Sequence, residues 1–477
     1  MPHWPPSYPA TGKIIEILEL LDNPHRRLPP IIHVTGTNGK GSVISFLKQI
    51  FIEHGLTTHV FTSPHLLKFN ENFIISNNPI EDGMIYELTE EIRNKLNNII
   101  NPSFFEYQTA LAFLAFSRVK ADICIIECGM GAMNDPTNIL THKLLSIITP
   151  ITFDHEEYLG NRLELIAGHK AHIMNNSEIN IISPQTSIVN ELLLNYGKLI
   201  AQERSPKVDE LVEGGKPDIY DGISRIIQNK NVISYEADYD FDIDNNQLAY
   251  VDIAREDISY YNLPSMQGDH QITNLVTALA AIKNQPMIKC DDNSINRAIV
   301  KTSWPGRIEN LTHLVSTDLP NGSEIWFDGA HNEAGAYALS NWIRSQPNTQ
   351  ESTTKVDRLM QGKKPDISGS VNRFTENKKN IIVYGRSENK DHNKFLRHLN
   401  HQGNKIIFVT VKNEPLPETR YNFQKFLEEN SDYDIDIYDS LEYVFFDYLS
   451  KQKSSLRVII CGSLYLYRDL HTIKHLI

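Results

Sequence analysis

A chain of 477 residues exceeds the size at which a single hydrophobic core keeps growing, so two compact domains are expected. Its apolar share of 40% and charged share of 22% are those of an ordinary globular protein, and no apolar run is long enough to cross a bilayer, which excludes a membrane-spanning class. A formal net charge of −13 argues against a nucleic-acid partner, because binding a phosphate backbone needs a basic surface; small anions can still be held by local basic and backbone groups.

Residues 1–10 carry prolines and aromatics but no basic start followed by an apolar core, so no secretory signal is read there and a cytoplasmic protein is expected. Cys124, Cys128, Cys290 and Cys461 are too few and too scattered for a disulfide framework or a zinc site, and read as structural thiols. β-Rich runs at 31–35, 58–61, 122–127, 145–149 and 179–182 alternate with helix-like stretches, the pattern of an α/β protein with a largely parallel sheet. Residues 263–284 predict a turn leading into a helix, and 291–300 a second short helix ahead of Ser303-Trp304-Pro305-Gly306. A second series of strands is expected at 324–328, 380–384, 405–410 and 457–461. Two domains follow, 1–299 and 300–477, the latter with a polar stretch near 345–379 that lacks periodicity and reads as a long surface insertion.

Directly after the first run stands Thr35-Gly36-Thr37-Asn38-Gly39-Lys40-Gly41-Ser42, and directly after that the helix-like 43–51. Strand, glycine loop, helix is the context of a phosphate cradle: the glycines let successive N–H groups point at phosphate oxygens, the helix N-terminus adds a favourable field, and Lys40 supplies a point charge. The spacing departs from the strict G-x-x-x-x-G-K-[ST] pattern. Val34 stands at the first glycine position and Gly41 separates Lys40 from Ser42, which argues against a generic kinase or GTPase.

Thr62-Ser63-Pro64-His65-Leu66 follows the second run, where Ser63 either simply ends a strand or offers its oxygen to a metal. The third run ends at Glu127 beside Gly129 and Gly131, and a carboxylate at the carboxyl edge of a sheet is a natural Mg²⁺ ligand. Asp154-His155 closes a further strand-like segment, and a single histidine of this kind reads as well as a structural residue. Lys170, taken alone, reads as a surface lysine, and as an ammonium it would repel a metal. Trp304-Pro305-Gly306-Arg307 and Phe327-Asp328-Gly329-Ala330-His331-Asn332 fall in expected turns. There an arginine can grip phosphate and an aspartate can accept from a ribose, or both can serve as plain turn residues.

Taken together and in order, these segments resemble the folylpolyglutamate synthase and dihydrofolate synthase branch of the Mur ligase superfamily. The resemblance runs from about residue 31 to the C-terminus. Besides the segments above it rests on Phe104-Phe105-Glu106, Asp135-Pro136-Thr137-Asn138, Leu159-Gly160, Gly268-Asp269-His270-Gln271 with Asn274, Lys390-Asp391 and Gly462-Ser463. It implies an N-terminal P-loop mononucleotide-binding domain with a mostly parallel sheet and a smaller C-terminal Rossmann-like α/β domain. It also implies an ATP-dependent ligase adding L-glutamate to dihydropteroate or folates through an acyl phosphate, acting as a monomer. On the same resemblance the ATP phosphates lie on Gly39, Lys40, Gly41 and Ser42. Mg²⁺, at two sites, lies on Ser63, Glu127, His155 and a carbamylated Lys170, a modification that turns a cation into an oxygen-bearing anion. Asn274, Arg307 and Asp328 hold ATP from the two domains, and Lys40, His155, Lys170 and His331 are the catalytic set. The pterin-side substrate is expected against Ser103, Phe104, Phe105 and Glu106 and against Asn134, Asp135 and Pro136.

Three positions depart from the family pattern: Met133 where arginine is common, Pro136 for alanine, and Asn72 for the arginine after Asn70-Glu71. The loss of two cations bears on which folate is accepted. A cell-wall Mur ligase acting on a nucleotide-linked sugar peptide would share the loop, metal site and lysine. The glycine loop starting at residue 36 and Phe104-Phe105-Glu106 favour folate instead. An ATP-binding relative without ligase activity is the remaining alternative, and Lys40, Glu127, His155 and Lys170 speak against it.

Overall fold

The computed structural model describes residues 11–97, 99–201, 232–315, 319–346, 378–387, 391–400, 404–412, 414, 417–430 and 432–473. The chain divides into two compact units, Met1–Trp304 and Pro305–Ile477. Most of the polar 345–379 stretch lies outside the described residues.

The first unit is built on strands β1 (Ile31–Thr35), β2 (Thr58–Phe61), β3 (Phe73–Ile75), β4 (Asn78–Pro79), β5 (Ile123–Glu127), β6 (Lys143–Ile148), β7 (Ser177–Ile182) and β8 (Val232–Ser234). They form one sheet in the order β4-β3-β2-β5-β1-β6-β7-β8, parallel except for the β2-β3-β4 edge. Strands β1, β5 and β6 are buried along their whole length because helices cover both faces, which is why their sequences are almost unbroken apolar runs. On one face Ile32, Val34 and Ile125 pack with Val43, Phe46, Leu47 and Ile50 of the helix Lys40–Glu53 and with Leu275 and Leu279 of the helix His270–Asn284. On the other, Ile31, Phe61 and Ile126 pack with the helices Thr11–Leu20, Asp82–Leu96 and Phe104–Arg118. The order reverses at β1, whose following crossover runs over β5 to β2 while later strands extend the sheet past β6. The loop after β1 therefore sits at a switch point, where open α/β sheets leave a crevice.

A three-stranded antiparallel sheet, β9 (Tyr239–Asp244), β10 (Gln247–Asp252) and β11 (Asp257–Tyr261), was not anticipated by the parallel α/β reading. Its signal was present: Tyr239-Asp-Phe-Asp-Ile-Asp244 alternates with period two, and Asn245-Asn246 is a two-residue hairpin turn. Both asparagines have positive φ, 47° and 64°, as a primed turn requires. Tyr239, Tyr250 and Tyr261 carry the sheet into the same core as the glycine-loop helix.

The second unit holds β12 (Glu309–Asn310), β13 (Glu324–Phe327), β14 (Lys379–Tyr384), β15 (Asn404–Val409), β16 (Ile435–Tyr438) and β17 (Leu456–Cys461) in the order β12-β13-β17-β14-β15-β16. All pairs but β12-β13 are parallel. Its core joins Ile382, Tyr384, Phe408 and Cys461 to Trp342, Phe395, Leu399 and Phe423 from the flanking helices. The described cysteines are all free thiols, with Cys124, Cys128 and Cys461 buried. No helix among the described residues is long and apolar enough to cross a membrane.

Asn246→Gly should stabilise the first unit by about 0.5 kcal/mol, because glycine adopts positive φ without the Cβ penalty; a higher urea midpoint checks it. Lys143 gives a second test. Its ammonium is fully buried at the start of β6, donating to the Ile173 carbonyl (2.6 Å) and Asn138 Oδ1 (3.1 Å), and burial pulls its pKa from 10.5 to about 7. Above that pH the folded protein has released a proton that the unfolded chain keeps until near 10.5, so stability should rise with pH through this window. The urea midpoint of the wild type, measured from about pH 6.5 to about pH 9, should climb relative to that of Lys143→Met.

Candidate functional site

The glycine loop is fixed to the segment after β6 by a dense set of bonds. Thr37 N and Asn38 N donate to the Pro150 carbonyl (3.0 and 3.3 Å), Thr37 Oγ1 donates to Thr152 O (3.0 Å), and Thr152 N donates back to Thr37 Oγ1 (3.1 Å). Thr35 Oγ1 ties the end of β1 to Gly131 O at 2.7 Å, so the turns after β1, β5 and β6 form one assembly. Gly36, at φ 145°, lies against Thr149, and Gly39, at φ 90°, lies against the Asn274 side chain, whose Oδ1 would be 2.3 Å from an added Cβ. Asn274 thus stands against the glycine loop. Gly41 is likewise covered by the Trp304 ring, 2.7 Å from where its Cβ would be.

The helix Lys40–Glu53 starts at Gly39 with no side-chain cap and no acidic residue in its first turn. Its leading N–H groups at Lys40, Gly41 and Ser42 point into the switch-point crevice, and the positive end of the helix favours an anion there. The donor set therefore fits a phosphate.

Two ammonium groups flank this helix start. Lys40 Nζ donates to the carbonyls of Gly36 (3.2 Å) and Thr37 (3.1 Å), and Lys170 Nζ donates to the same Gly36 carbonyl at 2.9 Å. Lys170 does not occupy the surface position it suggests when taken alone: it is 4% exposed, on the helix Leu163–Ala171. Burial, followed by the neighbouring Lys40 charge, lowers its pKa to about 8. Glu127, at the end of β5, brings Oε1 to 4.0 Å from Lys40 Nζ and accepts from Ser63 N at 3.2 Å through Oε2. Ser63 and Glu127 thus meet beside the loop. His155 follows Asp154, whose Oδ1 accepts from His155 N (2.9 Å), and caps the short helix Glu156–Leu159 in a left-handed conformation at φ 53°. Among the described residues no three His, Cys, Asp or Glu side chains cluster tightly enough to hold a metal by themselves. A cation here would rest on few protein oxygens and on phosphate, which suits a hard divalent ion such as Mg²⁺.

The expected substrate segments divide into exposed and buried residues. Phe104 is exposed beside Phe69, whereas Phe105 packs against Gly129 and Phe61. Ser103 and Glu106 are buried as a capping box: Glu106 N donates to Ser103 Oγ (3.3 Å) and Ser103 N to Glu106 Oε2 (2.7 Å). Asp135 is fully buried, its carboxylate accepting from Met130 N, Thr137 N and Thr137 Oγ1, and Pro136 is buried beside it. These two shape the 129–134 turn, leaving Met133 exposed and Asn134 partly so. Asn72 is 1% exposed, and neither polar atom of its side chain has a partner among the described residues.

In the second unit the carboxyl ends of the adjacent strands β13, β17 and β14 bring together Asp328–Asn332, Gly462-Ser463 and Gly385-Arg386. Asp328 accepts from Ile308 N (2.9 Å) and Ala330 N (2.8 Å), which ties the Gly306–Ile308 turn to its own loop. Arg307 lies over Gly329, its Nη1 2.4 Å from where a Cβ would stand. His331 Nδ1 is 2.8 Å from the Gly329 carbonyl; a carbonyl only accepts, so Nδ1 carries the proton. Lys390 lies outside the described residues, and Asp391 caps the helix His392–Leu399.

The sequence profile of the Mur ligase middle domain matches residues 34–282, just over half the chain. The chain belongs to the Mur ligase family. The match takes in the glycine loop, Ser63, Glu127, His155, Lys170 and Asn274. Among curated relatives, the Bacillus subtilis dihydrofolate synthase/folylpolyglutamate synthase is 29% identical over 71% of this chain and 73% of its own length. A probable dihydrofolate synthetase of Schizosaccharomyces pombe is 27% identical over 96% of both chains. Among solved structures, E. coli FolC in complex with DHPP and ADP superposes with a TM-score of 0.74 at 20% identity, covering 99% of this chain and 94% of that one. The bifunctional folylpolyglutamate synthase/dihydrofolate synthase of Yersinia pestis, complexed with AMPPNP and Mn ion, gives 0.73 at 20% identity over 99% and 95%. At that identity the structural likeness speaks for the shared fold.

Sequence reasoning named Trp304 only as part of an expected turn, not as the cover of Gly41, and did not name Arg386, because neither residue type announces such a contact without its neighbours. In this Mur ligase, Gly39→Ala would meet both the φ penalty and the Asn274 oxygen. It should lower stability by about 1–2 kcal/mol and weaken binding of a fluorescent ATP analogue at least as strongly; denaturant midpoints and a binding titration check the two effects separately.

Proposed function

We propose that the protein is an ATP-dependent ligase that joins L-glutamate to the carboxylate of dihydropteroate or a reduced folate through an acyl phosphate. The observation that carries this reading is the convergence of an uncapped glycine-loop helix, Lys40, buried Lys170 and Glu127 at one sheet edge. It is joined to a family whose curated relatives are dihydrofolate and folylpolyglutamate synthases.

In this reading the amides of Gly39–Ser42 and the Lys40 ammonium bind the phosphates of ATP and withdraw charge as the γ-phosphoryl group passes to the substrate carboxylate. Asn274, Arg307 and Asp328 orient the nucleotide, and His331 with Arg307 offsets charge on the transferring group. Ser63, Glu127, His155 and a carbamylated Lys170 would hold Mg²⁺, which when bound supplies positive charge opposite the phosphate oxygens. A pKa near 8 leaves a share of Lys170 as the neutral amine, the form that adds CO₂ and loses a proton to become a carbamate. The glutamate amine then attacks the acyl phosphate, and the tetrahedral intermediate collapses to amide and phosphate. Phe104 and Phe69 offer aromatic surface for the pterin side.

Phosphate release with Mg-ATP and L-glutamate, run in parallel with dihydropteroate and with tetrahydrofolate, tests the reading. Release with both acceptors marks a bifunctional enzyme and release with one a narrowed enzyme, and Lys170→Ala should abolish either by at least about a hundredfold. Silence with both acceptors, in protein that still binds ATP, overturns it, and turnover of a uridine-nucleotide-linked sugar peptide would assign the cell-wall branch instead.

A further inference from the structure

The second unit contains a buried polar chain that the ligase reading does not use. Arg386, just past β14, is 4% exposed and donates from Nη2 to the His331 carbonyl (3.0 Å) and from Nη1 to the Asp391 carbonyl (3.2 Å) and to Tyr384 Oη (3.2 Å). Tyr384 Oη lies 2.9 Å from His392 Nδ1, and His392 Nε2 lies 3.0 Å from Glu418 Oε2. A guanidinium only donates, so Tyr384 Oη accepts from it; a carboxylate only accepts, so His392 Nε2 donates to Glu418, and the Tyr384 Oη–His392 Nδ1 bond joins the two halves. A guanidinium at one end is thus joined to a carboxylate at the other through a phenol and an imidazole.

The surroundings keep this chain dry and rigid. Phe423 and Phe426 stand against the His392 ring at 5.0 and 4.9 Å, Phe395 lies under the Arg386 guanidinium at 5.4 Å, and Glu418 N donates to the Arg386 carbonyl at 3.0 Å. In such a setting polar bonds strengthen one another, but burying a guanidinium still costs more than packing an apolar side chain of the same size. Stability alone gives no reason for an arginine here. What the guanidinium does touch is backbone: the carbonyl of His331 on the loop after β13 and that of Asp391 at the head of the next helix. With His331 Nδ1 already held by Gly329 O, fixing the His331 carbonyl leaves its imidazole little freedom.

We propose that Arg386, oriented by the Tyr384–His392–Glu418 chain, is the positioning residue that sets the Asp328–Asn332 loop and so the His331 imidazole for phosphoryl transfer. This rests on the ligase reading for its consequence in turnover, though not for its consequence in geometry.

Tyr384→Phe removes one oxygen and breaks the chain at its middle, and Arg386→Lys keeps the charge but not the fork that reaches both carbonyls. Both variants should lower kcat about tenfold with the KM for ATP little changed and with melting temperatures close to wild type. In a spectrum of ¹³C-labelled histidine, the His331 Cε1 signal, assigned through His331→Gln, should move in both. A His331 signal that stays in place in both variants, or a fall in kcat that only tracks the fraction of protein unfolded, would overturn the proposal. A wild-type enzyme silent with every folate would sink the ligase reading alone, since the spectrum still decides whether Arg386 holds His331.

Discussion

Two ammonium groups converge on the carbonyl of Gly36, and much of the first unit is arranged so that they can. Bringing Lys170 there requires a helix packed under the loop, a glycine at position 36 close enough to Thr149 to leave no room for a side chain, and Glu127 at the adjacent strand end to offset the charge. Like charges this close repel in a buried site, and the depressed pKa of Lys170 expresses that repulsion together with its burial. Two amines beside an uncapped helix start, only partly offset by Glu127, make this sheet edge favourable to an anion.

The loops that hold the candidate site residues are fixed by bonds that end on backbone groups, some donated by amides and others made by side chains of the loops themselves. Thr37 and Asn38 hang on Pro150, Thr35 on Gly131, and in the second unit Asp328 spends both oxygens on amides while Arg386 reaches two carbonyls. Such bonds fix loop geometry without depending on the identity of the exposed residues. Exposed Met133 accordingly sits on a turn whose shape is kept by buried Asp135. Substitution there alters what the turn presents and leaves its path intact.

Both units place their candidate site residues at the carboxyl ends of neighbouring parallel strands: β1, β5 and β6 in one, β13, β17 and β14 in the other. The reason lies in parallel topology, which puts every crossover loop of one kind on one edge, so residues far apart in sequence become neighbours. Asn274 shows the same effect from a helix, reaching a glycine loop more than two hundred positions earlier in the chain.

The sequence by itself determined most strands of the parallel sheets, because buried strands are apolar runs punctuated by glycine and polar turns, but not β8 and β16, which are short and only partly buried; it also determined the glycine loop, where Gly36 and Gly39 take positive φ. It also held the hairpin signal at Asn245-Asn246, which a reading tuned to parallel strands passed over. Tertiary structure alone decided that Lys170 is buried, since burial depends on which helix covers which loop and a lone lysine carries no sign of it. It likewise turned Asp135 and Glu106 inward as caps while leaving Phe104 exposed, and it joined Arg386, Tyr384, His392 and Glu418 into one chain. Those four lie on separate strands, turns and helices, and hydrogen bonding between them exists only once β14 and the helix after it have packed; no local pattern could announce it.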